Sequence, residues 1–460
     1  MFKTCAKRLA CRSRASDSAL APAPCGHADY PIVVEVAQES LAMRMQIARN
    51  VLWLVLERGL QVVFGIASIG MIARAIGPEG FAEFQYAQSL VLIASSVALI
   101  CGAEVVVPRL VADRVPAAQH RLLIHVFALR EAAAIAGYLI VMAVVALTEE
   151  DEVIVLTAII IGIPILFYEP FGTIRAWLQA STNSRPAVVF GMIGLAFRVA
   201  AIGGLYLAGS HAAPTFAWVF AGEALICASL LARHYRKRSP RVAVSIDVSL
   251  AKRLLRDGTV FWVSLMLMLL AKRIDQLLLK PHISLFELGG YAASMQVLDN
   301  FMLLGSIVAS SVAPLMIYAQ PTFARVRRNV LYVAAGMLAA GIVGGAVLAF
   351  CAPWIISLIY GDHYEAAADL LRLSAMASGL VFLDGALTLL VVYLGKPRWL
   401  VEKWFLVLTT MIVVDLIVIP MFGARGAVYG YVAGNAVAVM AGIGFFIRSR
   451  EPMAAGQRAV

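Results

Sequence analysis

Charge is what this chain has least of. Of 460 residues only 14% are Asp, Glu, Lys or Arg, while 61% are hydrophobic and mean hydropathy is +0.85. Soluble domains average about 25% charged and about 45–50% apolar, so a chain folded in water is excluded and an integral membrane protein is implied. Cysteine is scarce too. Of the six, Cys5, Cys11 and Cys25 stand near His27 without the spacing of a zinc site, and Cys101, Cys227 and Cys351 are scattered. Neither a disulfide framework nor a metal centre is expected. The first 42 residues have no apolar run long enough for a signal peptide. They read as a disordered cytoplasmic tail, with Met43 or Met45 as alternative starts.

Long apolar runs are abundant. A spanning helix needs about 20 mostly apolar residues, and twelve such stretches are expected, at about 50–73, 86–108, 122–147, 153–172, 187–208, 215–232, 258–280, 290–316, 329–350, 367–394, 404–422 and 426–447. The net charge of +10 raises the question of nucleic acid, and its distribution answers it. With the N-terminus inside, 29 Lys and Arg fall on the cytoplasmic side and only Arg74 and Arg425 in outward connections, where "TEEDE" (148–152) and "YGDHYE" (360–365) lie. That is a positive-inside pattern, with both termini cytoplasmic and no nucleic-acid partner. The densest basic run, "RHYRKRSPR" (233–241), reads as a topology determinant touching anionic membrane lipids.

The two halves of the chain resemble each other. "FAGEALICAS" (220–229) lies over "VAGNAVAVMA" (432–441) at a shift of 212, and "FAEFQYAQSLVLIASSVA" (81–98) over "LGGYAASMQVLDNFMLLG" (288–305) at a shift of 207. Between them Arg185-Pro186 matches Lys396-Pro397. Six spans per half is an even number, so both halves enter the membrane in the same sense, a parallel repeat. The expected fold is an all-α polytopic bundle of about 12 transmembrane helices, in two six-helix lobes around a central cavity. The expected divisions are a tail (1–42), an N-terminal lobe (43–232), a basic linker (233–257), a C-terminal lobe (258–447) and a second tail (448–460).

The few charges inside the spans are therefore informative, because ionisable groups there are costly and face a bundle interior or water. Lys272, Arg273 and Asp275 crowd the end of the seventh span, and Lys272 lies ~21 Å along the axis from Gly258 at ~1.5 Å per residue. Ser264, Met268, Lys272, Asp275 and Leu279 share one helical face. In the eighth span Gln296, Asp299, Ser306 and Ser310 lie near one side. Arg58, Arg198, Lys272, Arg273 and Arg372 are candidates for binding an anionic, amphipathic substrate such as a lipid diphosphate, whose oxygens suit Arg forks and Lys point charges. Glu57, Glu104, Asp275, Asp299, Asp384 and Asp415 are candidates for proton or Na⁺ coupling. The competing reading for each is an interhelical ion pair. No other cofactor is called for.

The stretch 50–112, with "ARAIGPEGFAEFQYA", together with "YEPFGTIRAWLQASTNSRP" and "YGDHYEAAADLLRLSA", resembles the oligosaccharide flippases of the multidrug/oligosaccharidyl-lipid/polysaccharide exporter superfamily, over residues 50–447. The resemblance implies a transporter rather than an enzyme. It would move a polyprenyl-diphosphate-linked oligosaccharide across a bacterial inner membrane for surface polysaccharide assembly, beside other assembly proteins. It also implies a cation-lined cavity, to which Arg58, Lys272 and Arg273 would correspond. A multidrug antiporter of the same superfamily is the alternative, though its cavity should be dominated by acids. A membrane glycosyltransferase or polymerase is a further one, opposed by outward connections no longer than about sixteen residues (351–366) and by the missing catalytic constellation.

Overall fold

The computed structural model describes the backbone of residues 30–240, 242 and 247–450, with side chains from residue 59 onward within that range. Two compact units divide at Val51–Leu52, and the second, Leu52–Val460, holds every candidate span. Among the described residues every regular element is a helix. In chain order these are α1 (Tyr30–Ser95), α2 (Ala103–Ala112), α3 (Pro116–Thr148), α4 (Glu152–Gly162), α5 (Ile165–Ala180), α6 (Arg185–Leu207) and α7 (Ala213–Arg236). The second half holds α8 (Val248–Ala271), α9 (Ile274–Leu279), α10 (Leu285–Ala313), α11 (Phe323–Tyr360), α12 (Glu365–Ala375), α13 (Ser378–Tyr393), α14 (Pro397–Phe422) and α15 (Ala424–Arg448). Helix α1 begins at Tyr30, inside the segment expected as a tail. No Gly or Pro interrupts the sequence between Pro31 and Gly59, so nothing local stops a helix there.

Among the described residues ten helical stretches are long and apolar enough to cross a membrane, and the bent pair Asp362–Ala375 and Ser378–Tyr393 makes an eleventh. One of the ten, Gly59–Ala112, has 54 residues, ~81 Å at ~1.5 Å per residue against a hydrocarbon core of ~30 Å. Gly77 breaks it with φ 73 and ψ 177, a conformation glycine adopts freely, and Pro78 follows with no amide to continue the ladder. It is two crossings. With that division, twelve spans result among the described residues, as the apolar runs predict.

Helix ends gather on two faces. His211 Nδ1 meets the Ala75 carbonyl at 2.6 Å and Lys280 pairs with Glu149, which joins the connections after the first, third, fifth and seventh spans at one acidic end. Arg121 pairs with Asp247 at 2.7 Å and His120 with Tyr235 at 2.7 Å, at the opposite, basic end. The first-half helices pack as α3 on α5, α4 on α7 and α6 on α7, and the second-half helices as α11 on α13, α13 on α15 and α14 on both α15 and α8. The repeat is visible in the breaks. The fourth span is interrupted at Ile163 and Pro164 and the tenth at Met376 and Ala377, close to the repeat's 212-residue offset.

The lobes meet tightly at the acidic end. Arg74 donates to the carbonyls of Ser357 (3.1 Å), Leu358 (2.6 Å) and Ile359 (3.1 Å), the last turn of α11, where a cation complements the helix end. The Tyr364 hydroxyl donates to the Ala73 carbonyl at 3.1 Å, and the rings of Phe81, Tyr360 and Tyr364 pack at tilted and edge-to-face angles within 6.0 Å of one another. A Cβ on Gly289 would stand 2.1 Å from the Pro78 carbonyl oxygen, so only glycine allows that approach. At the basic end α8 joins the first lobe: Arg109 pairs with Asp257, and His125 Nε2 accepts the Asp247 amide at 2.7 Å. Asp247 caps α8, and its carboxyl is held at about 2 by the Ser249 hydroxyl and the Leu250 amide.

Gly289→Ala should therefore lower the melting temperature of the detergent-solubilised protein by several degrees, for a cost of about 1–3 kcal/mol from overpacking. Gly336→Ala, on an open face of α11 with nothing within 4 Å, should leave it unchanged or raised by helix propensity worth up to about 1 kcal/mol. Equal melting curves for the two variants would contradict the close approach.

Candidate functional site

The charged run in the seventh span sits at a break in the helix. Helix α8 ends at Ala271 and Arg273 leaves helical geometry with φ −135 and ψ −4. The Lys272 and Arg273 amides fold back on the carbonyls of Met268 and Leu270, both at 3.1 Å. Lys272 and Arg273 thus stand at the C-terminal, partly negative end of α8, and Asp275 in the first, partly positive turn of α9. Each charge complements the helix end beside it, and irregular backbone at membrane depth survives only where protein or water satisfies it. That is why a greasy span carries three charges in four residues.

Their partners differ. Arg273 pairs with Asp299 of α10 at 3.1 Å. Asp275, 2% exposed, accepts the Tyr291 hydroxyl and its neighbour's Gln276 amide at 2.8 Å. Lys272 is exposed and makes no ion pair among the described residues. Behind Asp275 lies Asp415 of α14, wholly buried, with neither carboxylate oxygen hydrogen-bonded among the described residues. Gly430 of α15 makes room for it, since a Cβ there would fall 1.7 Å from its Oδ1. An ionised carboxylate in that position is costly unless positive charge joins it.

The other expected site residues are distributed as follows. Arg198 of α6 pairs with Glu223 of α7 at 3.1 Å and lies 5.7 Å over the Phe220 ring, facing Gly65 of α1. The Glu57 and Arg58 side chains lie outside the described residues. Glu104 is exposed in the first turn of α2. Arg372, expected among the binding cations, stands apart from them, exposed on α12 and paired with Asp369 at 2.8 Å. Asp384, expected as a coupling acid, accepts from Lys403 Nζ at 2.9 and 3.1 Å, and the same ammonium donates to the Thr388 hydroxyl at 2.9 Å. The structure therefore brings together Lys272, Arg273, Asp275, Asp299 and Asp415 and leaves Arg198, Arg372, Glu104 and Asp384 elsewhere.

Arg175 and Lys403 lie beyond the expected spans and inside helices, because a hydropathy boundary falls where charge appears. Helix α5 runs on to Ala180, past Arg175, and α14 starts at Pro397, taking in Lys403. Tyr291, Gln276, Ser89 and Gln85 were missed for another reason: uncharged polar groups inside an apolar span give no signal that separates a site from a helix contact. Arg130 is a fastener. Its guanidinium donates to the free Ile100 carbonyl (3.0 Å) at the break in the second span and to the Glu169 carbonyl (2.8 Å).

Lys403→Met should cut the yield of folded protein sharply, because removing one partner of a buried pair strands the other at a cost of about 3–5 kcal/mol. The double change with Asp384→Leu should recover most of it, measured by size-exclusion profile and melting temperature. A single variant as stable as the parent would mean the pair is not buried as described.

The profile of the polysaccharide biosynthesis protein family matches residues 47–320, more than half the chain. No curated protein matches. An inward-facing multidrug resistance MATE transporter of the MOP superfamily superposes with a TM-score of 0.69 at 14% identity, over 85% of this chain and 94% of that one. The lipid II flippase MurJ in an inward closed conformation gives 0.66 at 12%, over 87% and 88%. The MATE multidrug transporter DinF-BH gives 0.61 at 16%, over 94% and 99%. At these identities the likeness concerns the fold. The chain is a member of the polysaccharide biosynthesis protein family, with an all-helical fold like that of MATE- and MurJ-type transporters.

Proposed function

We propose that this protein is a flippase that carries a polyprenyl-diphosphate-linked oligosaccharide from the cytoplasmic to the periplasmic leaflet of a bacterial inner membrane, by alternating access of its two lobes. The observation that carries the reading is Lys272, a cation at a broken span with no counter-ion among the described residues, on a chain of this family. Arg273, tied to one acid, keeps donors for a second anion. A diphosphate would bring several oxygens to this pair, while its lipid tail stays in the bilayer. With the basic end cytoplasmic, the closed seam at the acidic end corresponds to a state shut toward the periplasm.

Asp275 and Asp415 are the coupling groups in this reading. They bind a proton or Na⁺ when the acidic end is open and release it toward the cytoplasm, which would draw the cycle in one direction. The second reading, a multidrug antiporter, is favoured by one feature, the buried acid Asp415, and by the names of two structural relatives. An exposed lysine at the break opposes cationic cargo.

In proteoliposomes, Lys272→Ala and Arg273→Ala should each slow flipping of a fluorescent short-chain prenyl diphosphate sugar by about tenfold or more, the scale of a lost charged hydrogen bond worth ~1.5–3 kcal/mol, with membrane insertion intact. Asp415→Asn should remove the dependence of flipping on a proton or Na⁺ gradient. Normal flipping by the double variant Lys272→Ala, Arg273→Ala would end the phosphate reading. Exchange of a cationic dye without lipid flipping would establish the antiporter instead.

A further inference from the structure

Asp275 and Gln276 are neighbours on a six-residue helix and face opposite ways. Asp275 points into the second lobe, toward Tyr291, and α9 packs against α14, the helix that carries the buried Asp415. Gln276, 2% exposed, points across the seam, where its Oε1 accepts the Ser89 hydroxyl of the first lobe at 2.5 Å. One turn earlier on α1, Gln85 Nε2 donates to Gln296 Oε1 at 3.3 Å. The seam at this depth is thus held by side-chain hydrogen bonds between the lobes, and α9 contributes the shorter. The same helix is cut from α8 at Arg273, so it can turn without carrying α8 along.

We propose that the Ser89–Gln276 hydrogen bond is the link through which cation occupancy of Asp275 and Asp415 controls the seam between the lobes. It rests on the coupling reading above. With a proton or Na⁺ between the carboxylates, α9 is drawn toward α14, Gln276 meets Ser89 and the acidic end stays shut. With both carboxylates ionised and bare, their repulsion in a low-dielectric interior turns α9 away from α14 and breaks the link. The other charged and titratable groups around them are Arg273 and Lys272 at the break, Asp299 and Tyr291 on α10 and Tyr431 on α15. Arg273 is already engaged by Asp299 and Lys272 is exposed, so neither neutralises Asp415.

The test is hydrogen–deuterium exchange of the full chain in lipid nanodiscs, read in peptides covering 81–92 and 285–298. Acidic, sodium-containing buffer is compared with alkaline, choline-containing buffer, and the two crossed mixtures separate protons from Na⁺. In the parent protein, exchange should rise several-fold when both cations are withdrawn. Asp415→Asn should exchange slowly in every buffer. Ser89→Ala, which removes one oxygen, should exchange fast in every buffer by up to about tenfold, the reach of a single hydrogen bond, and Ser89→Thr should restore the parent response. If Ser89→Ala and Gln276→Leu both respond as the parent does, the link is overturned while the coupling reading stands. If the parent is indifferent to both cations, the coupling reading falls and the link with it.

Discussion

The arrangement depends on one constraint: a charge may sit at membrane depth only where something of opposite sign meets it. Here part of that something is the backbone. Breaking the seventh span at Lys272 and Arg273 exposes the negative end of α8 to two cations and the positive end of α9 to Asp275. The same break frees a short helix whose two faces touch different lobes. Electrostatic satisfaction and mechanical independence come from one interruption.

The remaining intramembrane charges divide by how that constraint is met. Arg130, Arg198 and Lys403 are engaged by carbonyls or by a buried acid, and act as fasteners between helices. Neither Lys272 nor Asp415 has a side-chain ion pair or hydrogen bond among the described residues, and the two are of opposite sign. A transporter that moves an anionic cargo against a cation would need one of each. The seam at the acidic end is held by Arg74 on the last turn of α11 and by Gly289 against Pro78.

Several fold features were legible before any coordinates. Apolar runs located all twelve spans, since a bilayer demands length and hydrophobicity and little else. The repeat at a shift of 212 reappears as paired breaks in the fourth and tenth spans. Where charge interrupts a span, hydropathy ends the span too early. Lys403 and Arg175 were placed outside the helices that contain them, because hydropathy counts a charge and cannot see the partner that neutralises it.

Sequence alone thus determined the membrane class, the number of crossings, the two-fold repeat and the presence of buried charge, all consequences of composition and of local periodicity. Only the tertiary structure decided which charges matter. Asp384 and Asp415 look alike in sequence, each a lone acid in an apolar run. One is held by Lys403 through both carboxylate oxygens, and the other is left without a hydrogen bond among the described residues, beside Gly430. That difference is set by residues on neighbouring helices, at distances of a few ångströms that no linear pattern encodes.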